Sequence, residues 1–262
     1  MSEANLLFEN RDGIAWLTLN RPKGMNAING EIIELYEKYI PEIANNDEIR
    51  AVVITGTGAA FCAGADLKEV LASQKLPPGE KDFLDRLCEN VFNPLRDFPK
   101  PVIAALNGIT MAGGLETAMC ADIVVAAESA VIGDAHANFG VYPGAGGAAL
   151  LPRIIPHNVA KYLLFTGETL SAQEMKTYGF VNVVTSDDEL QDKTQKLALK
   201  IASKSPIALR RMKEVANQAL DKSRDAALEH EQVLLRKHMR SYDFTEGLTA
   251  FSEKRKPQFI GK

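Results

Sequence analysis

Pro101-Val-Ile-Ala-Ala-Leu-Asn107 is an apolar run, which Gly108 and Met111-Ala-Gly-Gly-Leu-Glu116 follow in the chain. The run predicts a buried strand, and the small residues after it predict a turn from which a helix begins. The first N–H groups of a helix have no partner inside it, so they can hold an oxyanion. Gly113 and Gly114 leave the backbone open to a ligand, and Glu116 stands where it can move a proton. The alternative interpretation is an ordinary glycine-rich turn with a solvent-facing glutamate.

A second turn has the same character. Ala63-Gly-Ala-Asp66 follows the compact apolar strand Ala51-Val-Val-Ile-Thr55, and it too exposes N–H groups with little side-chain bulk. An oxyanion hole requires two N–H donors that converge from separate segments. The two turns together, with Glu116 beside one of them, therefore predict such a site more strongly than either turn alone.

The composition indicates an ordinary globular protein and excludes several classes. Of the 262 residues, 46% are hydrophobic and 24% are charged, which is typical of neither a disordered chain nor a coiled coil. The formal net charge of −4 gives no basic footprint for nucleic acid. Cys62, Cys88 and Cys120 are odd in number and widely spaced, which favours reduced thiols over disulfides or a metal site. We expect a soluble cytoplasmic protein with no signal peptide and no membrane segment.

The order of predicted elements indicates an α/β fold with partly parallel sheets. A hairpin around Asp12-Gly13 and a helix over 30–44 precede the two strand–turn units, and a strand over 122–127 follows them. The segment 73–80 contains Pro77-Pro78-Gly79 and predicts a mobile loop. The carboxyl third is expected to be mostly helical. Further predicted helices cover 82–95, 172–179, 187–203, 206–220 and 223–239, with a strand at 181–184.

Many ordered segments resemble the crotonase superfamily, which is the enoyl-CoA hydratase/isomerase family. The resemblance covers nearly the whole chain and rests on segments at 19–23, 51–56, 61–69, 100–108, 113–116, 143–147, 166–172, 179–182 and 251–259. It implies a spiral core of repeated ββα turns over 1–200 and a helical region over 201–262 that drives trimerisation, often as a dimer of trimers. It also implies an acyl-CoA thioester as substrate, with coenzyme A as part of that substrate and no metal or other cofactor.

The same resemblance implies roles for particular residues. The N–H groups of Ala65 and Gly113 would stabilise a thioester enolate. The turn from Ala63 through Asp66 to Leu67 would enclose the adenine of coenzyme A.

Basic residues are expected near the phosphates of coenzyme A. These are Arg21 and Lys23 in an early loop and Lys254 in the tail, which is expected to reach the site of a neighbouring subunit. Cations in these places suit the charge of the phosphates. For any one of them, the alternative is an ordinary solvated charge.

The sequence departs from the family pattern at two places. Family hydratases usually place a second glutamate at the position of His136, and they usually have glycine at the position of Ala112. Neutral imidazole can orient a water molecule and imidazolium can donate a proton, so Glu116 with His136 can still serve hydration. Asp134 and His136 also suit the C–C hydrolysis of a β-diketone, which some family members perform. Alternatively, Asp134 caps a turn and His136 is a satisfied residue of the pocket wall.

Addition of water to a 2-enoyl-CoA is the reaction that we expect, with Glu116 as the principal acid/base and His136 supporting the water. Double-bond isomerisation by Glu116 alone and β-diketone hydrolysis are the enzymatic alternatives. A trimer that binds acyl-CoA without turnover is the alternative of another class. Phe83, Leu84 and Leu87 are expected either to border the acyl chain or to belong to the core.

Overall fold

Two β-sheets organise the structure, a computed structural model that describes residues 4–75, 77 and 79–262. The larger sheet has six strands in the order β1-β2-β3-β5-β7-β10. β1 and β2 form the predicted antiparallel hairpin, and the other neighbours in this sheet run parallel. The strands are β1 Leu6–Arg11, β2 Ile14–Leu19, β3 Ala51–Gly56, β5 Val102–Leu106, β7 Ile123–Ala127 and β10 Val183–Thr185.

The smaller sheet has four short strands in the order β4-β6-β8-β9. β4, β6 and β8 run parallel to one another, whereas β9 pairs antiparallel with β8. The strands are β4 Ala60–Cys62, β6 Ile109–Met111, β8 Val131–Gly133 and β9 Thr169–Ser171. Because β4, β6 and β8 are parallel neighbours, their carboxyl ends meet at one edge of this sheet.

The chain moves from the larger sheet to the smaller sheet and then into a helix, and it repeats this pattern. β3 leads to β4 and then to α2, and β5 leads to β6 and then to α5. β7 leads to β8 and then to a 3-10 turn at His136–Phe139. The predicted spiral of ββα turns is therefore confirmed.

The helices surround the sheets and form most of the carboxyl third. None of the helices in the described ranges combines the length and apolar character that a membrane span requires. The helices are α1 Gly30–Asn45, α2 Leu67–Ser73, α3 Phe83–Leu87, α4 Asn93–Arg96, α5 Gly113–Met119, α6 Gly147–Ile154, α7 His157–Thr166, α8 Ala172–Thr177, α9 Leu190–Ala202, α10 Pro206–Ala219, α11 Arg224–His238 and α12 Tyr242–Ser252.

The larger sheet is covered on both faces. Successive side chains of a strand point to opposite faces, so Val52 and Ile54 of β3 join one cluster, whereas Val53 joins the other. The first cluster includes Ile32 and other buried residues of α1. The second cluster includes Leu190 and Ala198 of α9. Burial on both faces explains why the inner strands β3, β5 and β7 of this sheet are continuous apolar runs.

The structure refines several element boundaries. The predicted helix over 82–95 is helical throughout but contains a π-helical turn at Cys88–Phe92 between α3 and α4. The predicted strand at 181–184 lies at Val183–Thr185 instead. The predicted loop at 73–80 contains Leu76 and Pro78, which lie outside the described residues. The division into regions 1–200 and 201–262 stays a prediction.

Close contact between β4 and α5 brings the two small-residue turns together. A Cβ built on Gly114 would lie 2.0 Å from the carbonyl oxygen of Cys62. Only glycine allows the first turn of α5 to approach the end of β4 this closely.

We expect Gly114→Ala to lower the free energy of unfolding by roughly 1–3 kcal/mol, although alanine is the better helix former, because the added methyl overlaps backbone. Urea unfolding followed by circular dichroism measures the change. Gly144→Ala is the matched control, because a Cβ there meets nothing within 4 Å. Equal unfolding midpoints for the two variants would contradict this account of the contact.

Candidate functional site

A cavity of about 690 Å³ lies where the carboxyl ends of β4, β6 and β8 meet. The turn after β4 contributes Ala63, Ala65 and Asp66, and the start of α5, which follows β6, contributes Gly113 and Glu116. The segment after β8 contributes His136. The structure thus brings together in one cavity the three segments that the sequence analysis singled out.

The backbone segments that carry the N–H groups of Ala65 and Gly113 are in contact in the wall of this cavity. A Cβ built on Gly113 would lie 3.3 Å from the nitrogen of Ala65. The carbonyl of Gly64 and the N–H of Asp66 are both bonded to Ile28, which fixes the peptide between them. Within the described ranges, neither the Ala65 N–H nor the Gly113 N–H donates to a protein acceptor. Two neighbouring donors without acceptors can bind one carbonyl oxygen, as an oxyanion hole requires.

Ala112 lies in a backbone conformation that favours glycine. Its φ of 49° and ψ of −120° precede α5 directly, and its N–H is bonded to the carbonyl of Gly133 at the end of β8. A non-glycine residue in such a region costs of order 1–3 kcal/mol. The surrounding contacts therefore impose the turn that exposes the Gly113 N–H, and this explains why glycine is usual here in the family pattern.

Glu116 is buried, and one of its two carboxylate oxygens is already bound. Oε1 accepts hydrogen bonds from Ala145 N at 2.8 Å and Gly147 N at 3.0 Å. Oε2 accepts no hydrogen bond from the described residues, and the side chain lines the cavity. Burial raises the pKa of Glu116 above its ordinary value, although the two N–H donors and the charge of His136 oppose this shift. The turn at 143–147 thus orients the carboxyl and leaves one oxygen free for chemistry.

His136 lines the same cavity and is held by Asp134. Nδ1 of His136 lies 2.9 Å from Oδ1 of Asp134, and the backbone N–H of His136 donates to the same oxygen at 3.2 Å. Burial lowers the pKa of His136, but the hydrogen bond and charge of Asp134, helped by Glu116, outweigh burial and give a net rise. Nε2, the other ring nitrogen, has no partner among the described residues and can bind a ligand.

The predicted adenine-binding residues line the cavity next to an ion pair. Ala63, Asp66 and Leu67 are all lining residues, and Asp66 caps α2 by accepting from Lys68 N at 3.0 Å. Arg21 also lines the cavity, and its guanidinium donates to Asp66 Oδ2 at 3.0 Å. Burial would raise the pKa of Asp66, but the hydrogen bonds and charge of Arg21 hold it below its ordinary value. Arg21 is therefore partly neutralised by Asp66.

The other predicted cations lie elsewhere. Lys23 is exposed on the 3-10 turn at Pro22–Gly24, and Lys254 is exposed after α12. Neither lysine lines the cavity of a single chain. Lys68, which sequence reasoning missed, does line it. Lys68 could have been identified from its place directly after the predicted adenine turn, in the first turn of α2.

Apolar side chains line the part of the cavity contributed by α3 and the π-helical turn. Leu84 and Leu87 line it, whereas Phe83 and Leu87 belong to the core cluster. The expected border with the acyl chain stays a prediction. Cys88 and Phe92 of the π-helical turn were missed, because a π-helix has no recognisable sequence pattern. Other apolar lining residues are Val70, Ile109, Met111, Phe139, Val141 and Tyr142.

Comparison with known proteins identifies the family. The profile of the family described as enoyl-CoA hydratase/isomerase matches residues 9–262. The chain belongs to the enoyl-CoA hydratase/isomerase family.

No group of three or more His, Cys, Asp or Glu side chains is placed to hold a metal ion anywhere in 4–75, 77 and 79–262.

Individual relatives cover the whole chain. It is 36% identical over 263 residues to the crotonyl-CoA hydratase of Syntrophomonas wolfei, with 100% of both proteins covered. It is 36% identical over 254 residues to the 1,2-epoxyphenylacetyl-CoA isomerase of Escherichia coli, covering 95% of this chain and 96% of that protein. The crystal structure of enoyl-CoA hydratase from Bacillus anthracis has a TM-score of 0.90 and 34% identity, covering 98% of this chain and 100% of that chain. The crotonase fold is therefore confirmed, and relatives with different reaction names are equally similar.

The raised pKa of Glu116 predicts how stability depends on pH. The folded state binds the Glu116 proton more tightly than the unfolded state, so stability falls as the pH rises above the unfolded pKa, and the loss is complete above the folded pKa. We expect Glu116→Gln to be more stable than the parent at pH 7. The difference should vanish as the pH falls below about 4.3, the ordinary glutamate pKa.

Urea unfolding at a series of pH values measures this difference. Glu37→Gln on α1 is the control, because Glu37 is exposed and its replacement should change stability little at any pH. A Glu116→Gln variant that is less stable than the parent at pH 7 would contradict the interpretation of Glu116 as a costly buried carboxylate.

Proposed function

We propose that this protein adds water across the C=C bond of a 2-enoyl-CoA thioester, as an enzyme of the hydro-lyase type. The observation that carries the proposal is the arrangement of the cavity. The N–H groups of Ala65 and Gly113 come from backbone segments in contact, have no acceptors among the described residues, and share their cavity with the free Oε2 of Glu116. A group that holds an enolate oxygen and a group that moves a proton are the two requirements of this reaction.

The proposed reaction begins with the thioester carbonyl oxygen between Ala65 N–H and Gly113 N–H. These donors favour the charge that develops on this oxygen as the double bond is attacked. Glu116 takes a proton from water while the water oxygen bonds to Cβ, and an enolate forms. Glu116 then returns the proton to Cα, which restores the thioester and the carboxylate. The raised pKa of Glu116 suits this cycle, because it brings the proton affinity of the carboxylate closer to the proton affinities of the water and of Cα, with which it exchanges the proton.

His136 takes the place of the second glutamate in this proposal. Nε2 accepts a hydrogen bond from the attacking water, or donates one when the ring is protonated, and so fixes the position of the water. Asp134 engages Nδ1 at 2.9 Å, which leaves Nε2 for this role.

The remainder of the cavity is proposed to hold coenzyme A. Ala63, Asp66 and Leu67 would enclose the adenine, and the phosphates would lie near the cations of the cavity rim. Lys68 joins the earlier candidates because it lines the cavity, whereas Arg21 is held by Asp66. Lys23 and Lys254 remain candidates, and Lys254 would serve the site of a neighbouring subunit.

A homotrimer, or a dimer of trimers, is proposed as the assembly. Large apolar side chains are exposed on the carboxyl-terminal helices, including Met212 at 66%, Leu248 at 59% and Phe251 at 86%. A monomer rarely leaves so many large apolar residues in water, and contact between subunits would cover them.

Hydrolysis of a C–C bond in a β-diketone is the second candidate, and the Asp134–His136 pair favours it. A histidine whose Nδ1 is held by a carboxylate is a suitable base for activating water. In this reaction the water attacks a carbonyl carbon, the C–C bond breaks, and the enolate that leaves is protonated.

The first test is the loss of conjugated enoyl-thioester absorbance when the protein is added to crotonyl-CoA and to longer 2-enoyl-CoAs. We expect Glu116→Gln to reduce turnover by roughly 10² or more with little change in binding of the CoA ester, because the proton carrier is lost and the cavity shape is kept. Glu37→Gln, which is outside the cavity, should turn over like the parent. Tight binding with no turnover across the series would contradict hydration and would leave β-diketone hydrolysis, double-bond isomerisation and non-catalytic acyl-CoA binding as the alternatives.

The role of His136 is tested by the pH dependence of kcat. The parent profile should contain an inflection above pH 6.5, because the net pKa shift of His136 is upward from the ordinary histidine value. We expect His136→Ala to lack this inflection and to turn over more slowly. An unchanged rate and pH profile in His136→Ala would show that His136 only lines the cavity wall and takes no part in the reaction.

A further inference from the structure

Asp134 is buried far more deeply than a turn-capping residue needs to be. Its side chain is 1% exposed, and it follows β8 directly, at the edge where the cavity opens. Oδ2 has no hydrogen-bond partner among the described residues. A buried carboxylate oxygen without a donor is costly. An unpaired buried carboxylate of this kind is kept in a structure where its charge serves a function.

Asp134 contacts His136 and also lies against a residue that holds Glu116. Oδ1 is bonded to Nδ1 of His136 at 2.9 Å. Oδ2 lies against Gly147, where a Cβ would approach it to 2.7 Å. The N–H of Gly147 is one of the two donors that hold Oε1 of Glu116. The lack of a side chain at Gly147 therefore lets Asp134 lie against the backbone that holds Glu116 while it bonds to His136.

The backbone between Asp134 and His136 aims the imidazole back at the carboxylate. Ala135 adopts a left-handed conformation with a φ of 60°, so the chain reverses within three residues. As a result, the ring nitrogen and the backbone N–H of His136 share the same carboxylate oxygen. An ionised carboxylate can only accept, so the proton of neutral His136 must lie on Nδ1.

We propose that Asp134 is a positioning residue that fixes the Nδ1–H tautomer of His136 and presents Nε2 to the substrate cavity. The negative charge of Asp134 also favours the imidazolium form. This inference rests on the proposed function for its catalytic meaning, but the state of the imidazole can be measured without any substrate.

The charges that act on His136 come from two elements. Asp134 belongs to the same loop and Glu116 belongs to α5, and both favour the imidazolium. Burial opposes them. The other titratable side chains that line the cavity are Arg21, Asp66, Lys68, Cys88 and Tyr142.

Nuclear magnetic resonance of the ligand-free protein, labelled with ¹⁵N histidine, tests the inference first. The chain has four histidines, and the signals of His136 are those missing from His136→Gln. We expect the neutral ring to be protonated at Nδ1, with a pKa above the ordinary histidine value. This measurement needs no substitution at Asp134. A neutral ring protonated at Nε2 would overturn the inference.

Asp134→Asn is the variant that separates charge from turn capping, because an amide oxygen still accepts from the His136 N–H. We expect the pKa of His136 to fall and the Nδ1–H preference to weaken, since the amide has no charge and can also donate to Nδ1. Glu214→Gln is the matched control, because Glu214 lies 3.2 Å from the Nε2 of His230, away from the cavity. That control should move the signals of His230 and leave His136 unchanged. Unchanged His136 signals in Asp134→Asn would overturn the inference.

Turnover of crotonyl-CoA gives the second readout. We expect Asp134→Asn to lower kcat by roughly 10- to 100-fold, the range seen when residues that orient a metal-binding histidine are removed, with KM nearly unchanged. A shift of the His136 signals with unchanged kcat would overturn the positioning role. If the parent does not hydrate any enoyl-CoA, the proposed function fails, and the resonance data alone still decide how Asp134 sets the state of His136.

Discussion

The contact between Gly114 and the carbonyl of Cys62 is the constraint on which the site depends. A Cβ at Gly114 would lie 2.0 Å from that oxygen, so the start of α5 can lie against the end of β4 only because the residue is glycine. This approach brings the nitrogen of Ala65 beside Gly113. The parallel pairing of β4, β6 and β8 sets the direction of the approach, because three turns then leave the same edge of the small sheet. The larger sheet is covered on both faces, and its strands β3, β5 and β7 lead along the chain into β4, β6 and β8, so the larger sheet supports this edge.

The site holds groups that reduce the stability of the fold. Glu116 is a buried carboxylate whose pKa is raised by burial, and Oδ2 of Asp134 is buried without a donor among the described residues. Ala112 adopts a conformation that favours glycine, directly before the N–H of Gly113. Each feature is unfavourable by itself, and each serves a proton or an oxyanion. Their concentration around one cavity is typical of a functional site, where stability is lost in favour of preorganised donors and acceptors.

Much of the fold was predictable from the sequence, because the inner strands β3, β5 and β7 of the larger sheet are apolar runs with clear breaks. The two turns were predictable because Gly64, Gly113 and Gly114 mark places where backbone groups meet. The strands of the smaller sheet were harder to predict, because three residues are too few to show a period. The predicted segments also missed α7 and α12, which lie in the carboxyl half. Family resemblance supplied the roles of Ala65 and Gly113. The bond between Asp134 and His136 depends on the φ of Ala135, and the contact of Asp134 with Gly147 joins separate segments; neither can be read from residue types.

The central claim is that the N–H groups of Ala65 and Gly113 together bind a thioester oxygen. Isotope-edited infrared spectroscopy tests it directly, with butyryl-CoA labelled by ¹³C at the thioester carbonyl. This saturated ester cannot be hydrated, so it stays intact in the cavity. Two hydrogen bonds to the oxygen weaken the C=O bond, so the account predicts a carbonyl stretch at lower frequency in the bound ester than in the free ester. A bound ester whose stretch matches that of the free ester in water would contradict the account.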